Sequence, residues 1–206
     1  AFVPHLILCK KIAGTWMLVQ SVMKGRPIIS TMTKDGVPDI QDAAVNISVA
    51  ANWLLQLHEM THDTSTTATD LLKHKSLNTI QELSETFDLS PQERGYIRIV
   101  LGELDTVAVT GAVVQHGDFS RQNILISKNG EDIEVRVIDW TDSKRIGFPL
   151  YDLFFFVTTY YLQVRRDSGL EGFIGAFENI FFDTTPYSNI VKQQLIEFCE
   201  RIHLGL

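Results

Sequence analysis

Residues His116 to Asn123 read His-Gly-Asp-Phe-Ser-Arg-Gln-Asn, a polar octet set between two apolar runs of β character. Asp118 can accept a proton from an attacking hydroxyl, the work of a general base. Asn123 closes the octet with an amide oxygen, a hard ligand of the kind Mg²⁺ prefers. A second ligand to such an ion should be a carboxylate, and Asp139 in "VIDW" stands at the end of the next apolar run. Pairing Ile124–Ser127 with Glu134–Ile138 would bring Asn123 and Asp139 to the same end of one hairpin. The alternative is an ordinary polar turn with an exposed Asp and Asn.

The elements that must position these residues follow from local pattern. Short apolar runs at Leu6–Lys10 and Thr15–Val22 flank "KIAG" and predict a β-hairpin. "MKGRP" then breaks the chain. Apolar residues spaced along one helical face predict a helix over Pro38–Thr61, and the polar "DTSTTATD" (Asp63 to Asp70) predicts a surface loop. A second helix is expected over Leu71–Phe87. "SPQE" places Ser90 as N-cap, Pro91 at the first position and Glu93 three residues after the cap, so a third helix should run to about Leu104. Val107–Val114 is β-like and leads into the octet. "KNGED" then turns a second hairpin from Ile124–Ser127 to Ile133–Trp140. After Pro149 three helices are expected, over Tyr151–Arg166, Leu170–Phe182 and Ser188–His203.

Composition narrows the function classes. The 206 residues are 45% apolar and 21% charged, a balance that builds a hydrophobic core. A net charge of −7 argues against a nucleic-acid binder. Two cysteines, Cys9 and Cys199, are too few and too far apart for a disulfide framework, so reduced thiols and a cytoplasmic location are expected. The most apolar segment, Leu153–Val164, falls short of the ~20 residues that cross a bilayer. It predicts a buried core helix.

The octet, written H-G-D-x-x-x-x-N, is similar to the H-R-D-x-x-x-x-N catalytic loop of protein kinases. "HGDFSRQNIL", "VIDW" and "GFPLYDL" together resemble the aminoglycoside phosphotransferase family, kin to the choline kinases. Upstream, "WMLVQSVMKGRPI" is similar to the family's hinge, and "LLQLH" (Leu54 to His58) to the end of its first long helix. The resemblance implies an α+β, protein-kinase-like fold: a mostly helical C-terminal lobe that carries a catalytic β-hairpin. It implies Asp118 as catalytic base, Asn123 and Asp139 as magnesium ligands, and backbone groups of Ser21 and Met23 on the adenine of ATP. His116 would brace the loop. Asp152 would start a large buried helix and tie down the loop backbone, the alternative being a plain helix N-terminal charge. Arg121, inside the loop, is a candidate phosphate contact. Lys144 and Arg145 could touch phosphate or substrate, though solvated charges read more naturally. The acceptor would be a small hydroxyl compound such as an aminoglycoside, a sugar or an amino alcohol.

The family's glycine-rich loop and strand lysine do not occur in this sequence. Residues 1–25 therefore read as the last hairpin of a small lobe plus the hinge, and 26–206 as the helical lobe, with the N-terminal lobe largely missing. Such a fragment should be catalytically incomplete, with apolar surface exposed around Leu6, Ile7, Leu8, Leu18 and Val19. Two rival readings stand. A kinase-like domain could bind a ligand without catalysis, although an intact Asp118, Asn123 and Asp139 argues against decay. "HEMTH", His58 to His62, spells H-E-x-x-H: on a helix His58 and His62 could bind zinc with Glu59 as base and Glu82 as a third ligand. That reading leaves the octet, Asp139 and the hinge unexplained.

Overall fold

The computed structural model describes residues 3–28, 40–104, 110–130, 132–167 and 173–202. Strands β1 (Leu6–Ile12) and β2 (Thr15–Gln20) pair antiparallel, with Cys9 opposite Leu18 and Lys11 opposite Trp16. Every residue of both strands is exposed, Leu6, Ile7, Leu8, Leu18 and Val19 included, as the sequence predicts. The "MKGRP" break contains a short strand, β3 (Arg26–Pro27), which pairs with β6 (Ile124–Asn129).

Helix α1 (Ile40–Thr61) is the axis of the core. Ala43, Ile47, Ala50, Trp53, Leu54 and His58 recur every three or four residues and are all buried. Their stripe packs against α4 (Tyr151–Asp167), α6 (Pro186–Arg201) and strands β5 (Thr110–Gln115) and β7 (Asp132–Val137). From α4 come the buried Leu153, Phe156, Val157 and Tyr160, so the most apolar segment is a core helix. Among the described residues no helix is long and apolar enough to cross a membrane. The buried Tyr160 hydroxyl accepts a hydrogen bond from Asn46 Nδ2 at 2.8 Å, which joins α4 to α1 by a satisfied polar contact.

The expected surface loop at Asp63–Asp70 is a strand and a helix start instead. Strand β4 (Asp63–Thr67) pairs with β5 (Thr110–Gln115), and α2 (Ala68–Thr86) begins at once. Serine and threonine made this stretch look like a loop, but threonine also suits strands, and β5 offers an edge to pair with. Helix α3 (Pro91–Leu104) starts where "SPQE" predicts: Ser90 Oγ accepts from the Glu93 N–H at 3.2 Å, and Glu93 Oε2 accepts from the Ser90 N–H at 2.7 Å.

The second hairpin is β6 (Ile124–Asn129) and β7 (Asp132–Val137), in the expected register with Ile124 opposite Val137. Strand β8 (Lys144–Gly147), which sequence pattern did not separate from a loop, pairs with the other edge of β5. The sheets are thus β1-β2, β3-β6-β7 and β4-β5-β8. Helix α5 (Phe173–Phe181) precedes α6, whose capping box joins Thr185 and Ser188. The expected helix starts at Pro38 and Leu170, the β start at Val107 and the helix end at His203 lie outside the described residues. Among the described residues, six helices and short antiparallel sheets make an α+β fold.

The α1–α6 interface contains a buried base. His58 stacks edge-on against Phe198 of α6 at 5.5 Å, and its Nδ1 has no hydrogen-bond partner among the described residues. Burial, and after it the neighbouring His62, lowers its pKa to about 4. The folded state thus holds His58 neutral where the unfolded chain would protonate it. Stability from this residue is present above the unfolded value of 6.5 and is lost as pH falls toward 4. The shift corresponds to about 3 kcal/mol. Urea denaturation at stepped pH should show His58→Leu losing less stability than the parent across that window; parallel curves would mean that His58 is not held neutral.

Candidate active site

The octet spans the gap between two sheets, leaving β5 at Gln115 and entering β6 at Ile124. Its first half is fixed from below by one carboxylate. Asp152, buried in the first turn of α4, accepts the His116 N–H on Oδ2 at 2.6 Å and the Gly117 N–H on Oδ1 at 3.0 Å. Burial raises the Asp152 pKa, and the two backbone bonds work against that rise. The alternative of a plain solvated helix charge does not fit a side chain held this way.

His116 is fully buried, and its hydrogen bonds select its tautomer. Nε2 lies 3.0 Å from the Ile138 carbonyl oxygen, which can only accept, so Nε2 carries the proton. Nδ1 then accepts the Asp118 N–H at 3.3 Å. Phe119 and Trp140 wall the ring at 5.9 and 4.7 Å, and Trp53 of α1 stacks on Phe119 at 5.5 Å. The loop thus rests on the core through aromatic contacts. Gly117 sits at φ +89°, and a Cβ there would meet the Asp142 carbonyl oxygen at 2.3 Å, so the second octet position admits only glycine.

The second half of the octet positions the polar ends. Asn123 Nδ2 donates to the Asp118 carbonyl at 3.0 Å and to Asp118 Oδ2 at 2.9 Å. With its NH₂ end committed, the amide presents Oδ1 as its acceptor. The Asn123 carbonyl accepts the Ile138 N–H at 3.0 Å, which seats Asn123 and Asp139 at the same end of the β6–β7 hairpin. Asp139 takes φ +61°, a left-handed conformation that aspartate tolerates better than most residues. Its Oδ1 accepts from Thr141 Oγ1 at 2.7 Å, and the carboxylate is exposed. Among the described residues no three His, Cys, Asp or Glu side chains assemble a metal cage. Mg²⁺ does not need one, because it is commonly held by one or two protein oxygens together with substrate phosphates and water. An amide oxygen and a carboxylate at one hairpin end fit that ion.

Arg121 stands inside the loop and reaches toward α4. Its Nη1 donates to the Thr159 carbonyl of α4 at 3.0 Å, so the guanidinium ties the loop to the core. At the hinge the Ser21 N–H is bonded to the His5 carbonyl, and Ser21 Oγ accepts the His5 N–H, both at 2.9 Å. The Ser21 amide is therefore already engaged, and Met23 nearby is half-buried. Arg136 of β7 joins this hinge to the hairpin: its Nη1 donates to the Lys24 carbonyl and to Ser127 Oγ, each at 3.0 Å.

The H-E-x-x-H run does not form a metal site. His58 faces Phe198, Glu59 pairs with Arg201 at 3.3 Å, and the His62 ring lies against Gly111. Glu82 is on α2. Sequence reasoning missed Thr141 and the Trp53–Phe119 stack, which support the site from outside the octet. Their only signal was proximity to "VIDW" and to the α1 stripe.

Three comparisons bear on this site. The family model described as "Phosphotransferase enzyme family" matches residues 17–187. No curated protein matches the sequence. Among solved structures, the chain is similar to an aminoglycoside-3'-phosphotransferase of type VIII. The two share 18% identity at a TM-score of 0.41, with 95% of this chain and 73% of that chain covered. Since the family model takes in the hinge, the octet, Asp139 and Asp152, this chain belongs to the phosphotransferase enzyme family.

Proposed function

We propose that the chain is the larger part of an ATP-dependent kinase of small molecules, with Asp118 as the base. The observation that carries this reading is the grip of Asn123 on Asp118, by carbonyl and carboxylate together, at the hairpin end that also bears Asp139. Asp118 would take the proton of an acceptor hydroxyl as its oxygen attacks the γ-phosphorus of ATP, and ADP would leave. Such transfer depends on positioning and charge stabilisation more than on covalent chemistry by the protein. Asn123 Oδ1 and the Asp139 carboxylate would hold Mg²⁺, which neutralises charge on the phosphates. His116 and Asp152 would keep the loop in register, and the Ser21 carbonyl with Met23 would receive the adenine. Arg121 serves the loop in this reading, not the phosphate.

We read 1–25 as hairpin and hinge of a small lobe, and 26–206 as the helical lobe. The exposed faces of β1 and β2 support this division, because strands so bare on both sides make an incomplete sheet. These residues alone should bind ATP·Mg weakly and transfer no phosphate. Acceptor-dependent formation of ADP and phosphorylated acceptor, assayed with and without the small-lobe strands, decides that point.

In the complete protein, Asp118→Asn keeps the loop's shape and removes the base, so turnover should fall ~10²–10⁴-fold with ATP affinity little changed. Full turnover in that variant would remove Asp118 from the mechanism. Asn123→Ala and Asp139→Ala should each raise the Mg²⁺ concentration needed for half activity, Asp139→Ala the more because it loses a full charge. Added Mg²⁺ should rescue the first more than the second. If both variants match the parent at low Mg²⁺, these two residues are not the ligands.

A further inference from the structure

The catalytic loop has a second flank, away from Asn123 and Asp139. Lys144 of β8 pairs with Gln115, the residue that leads into His116. Helix α4 opens on Tyr151, next to the Asp152 that holds the Gly117 N–H. Across this flank α2 extends Lys75, whose Nζ stands 3.9 Å from the centroid of the Tyr151 ring. An ammonium on an aromatic face is held by the ring quadrupole without spending its N–H donors on a carboxylate. Lys75 and Lys144 are exposed and Tyr151 is half-buried, so a solute can reach all three.

The electrostatics of the flank point the same way. Burial lowers the Lys75 pKa, and the nearby Lys144 lowers it further, while Asp152 acts against them. Two like charges held together stabilise an anion that joins them. Burial pushes the Tyr151 phenol up, and the nearby carboxylates of Asp152, Asp118 and Asp142 add to that rise. That keeps Tyr151 protonated and able to donate a hydrogen bond. Asp152 is already occupied by loop N–H groups, and Asp118 is the proposed base. A net charge of −7 attracts cations to the chain as a whole, but screening over about 8 Å leaves a local ammonium pair dominant at its own surface.

We propose that Lys75 and Lys144, with the Tyr151 phenol, form an anion-recognising wall beside Asp118, so that the acceptor alcohol also carries a carboxylate or a phosphate. The proposal rests on Asp118 being the base, and it selects against cationic acceptors such as choline.

The test uses the intact protein with its lysines reductively dimethylated in carbon-13, which preserves their charge. Lys75→Arg and Lys144→Arg assign the two resonances. Glycerate, glycerol 3-phosphate, glycerol and choline are titrated without nucleotide at matched ionic strength. The anionic alcohols, one or both, should displace both resonances saturably, whereas glycerol and choline leave them in place. Lys75→Met should weaken the affinity read at Lys144 about tenfold or more, the loss of one charge-assisted hydrogen bond. Which anion binds better tells carboxylate from phosphate. The proposal is overturned if neither anion displaces the resonances saturably, if choline or glycerol does so equally, or if Mg·ATP alone displaces Lys75, which would make it a nucleotide contact. Failure of the Asp118 reading is separate: an Asp118→Asn enzyme that keeps turnover would sink it whatever the resonances do.

Discussion

The loop that carries Asp118 has no regular structure of its own, and its shape is imposed by one buried carboxylate. Asp152 sits at the start of α4, where the helix dipole favours negative charge, and spends both oxygens on the N–H groups of His116 and Gly117. A buried ionised carboxylate is costly, and its pKa is accordingly raised. The sign matters. An acid whose folded pKa is raised contributes stability below its unfolded value and loses it as pH rises through the folded one. At neutral pH the ionised Asp152 therefore works against folding stability while it fixes the loop. The two N–H bonds reduce that cost and convert it into loop geometry, after which His116 can reach Ile138 and Asp118 together.

Much of this site was legible in the sequence because its logic is local. H-G-D-x-x-x-x-N is one loop, and the Asn-Gly turn and alternating β pattern fix the register that brings Asn123 beside Asp139. Asp152 was legible as a carboxylate too apolar in its surroundings to lack a partner. What escaped depends on contacts distant in sequence. Strands β3, β4 and β8 are short edges that exist because β6 and β5 offer them partners, and Asp63–Thr67 or Lys144–Gly147 alone carry no compelling strand pattern. The charge of Arg121 is plain in the sequence, whereas the Thr159 carbonyl that its Nη1 reaches, 38 residues on, is not. The H-E-x-x-H run shows the converse error: the spacing suits a metal, yet His58 belongs to the packing of α1 on α6.

The two ends of the octet are attached to different sheets, and this gives the site its two sides. Through β6 the loop joins β3-β6-β7, which bears Asn123 and Asp139 and, by way of Arg136, holds the hinge carbonyl of Lys24. Through β5 it joins β4-β5-β8, next to Lys144 and the Lys75–Tyr151 contact. Asp118 stands where the two meet. In the proposed reaction the first sheet serves nucleotide and metal and the second serves the acceptor, so one residue can act on both substrates only if the sheets keep a fixed offset. That offset is set beneath the loop, where Trp53 of α1 stacks on Phe119 and Phe119 meets Phe156 of α4. Close-packed aromatic rings deform little, so the helical core acts as the ruler between the two halves of the site. Changes to the proposed acceptor side at α2 and β8 would then leave Asn123 and Asp139 in place, because neither element carries them.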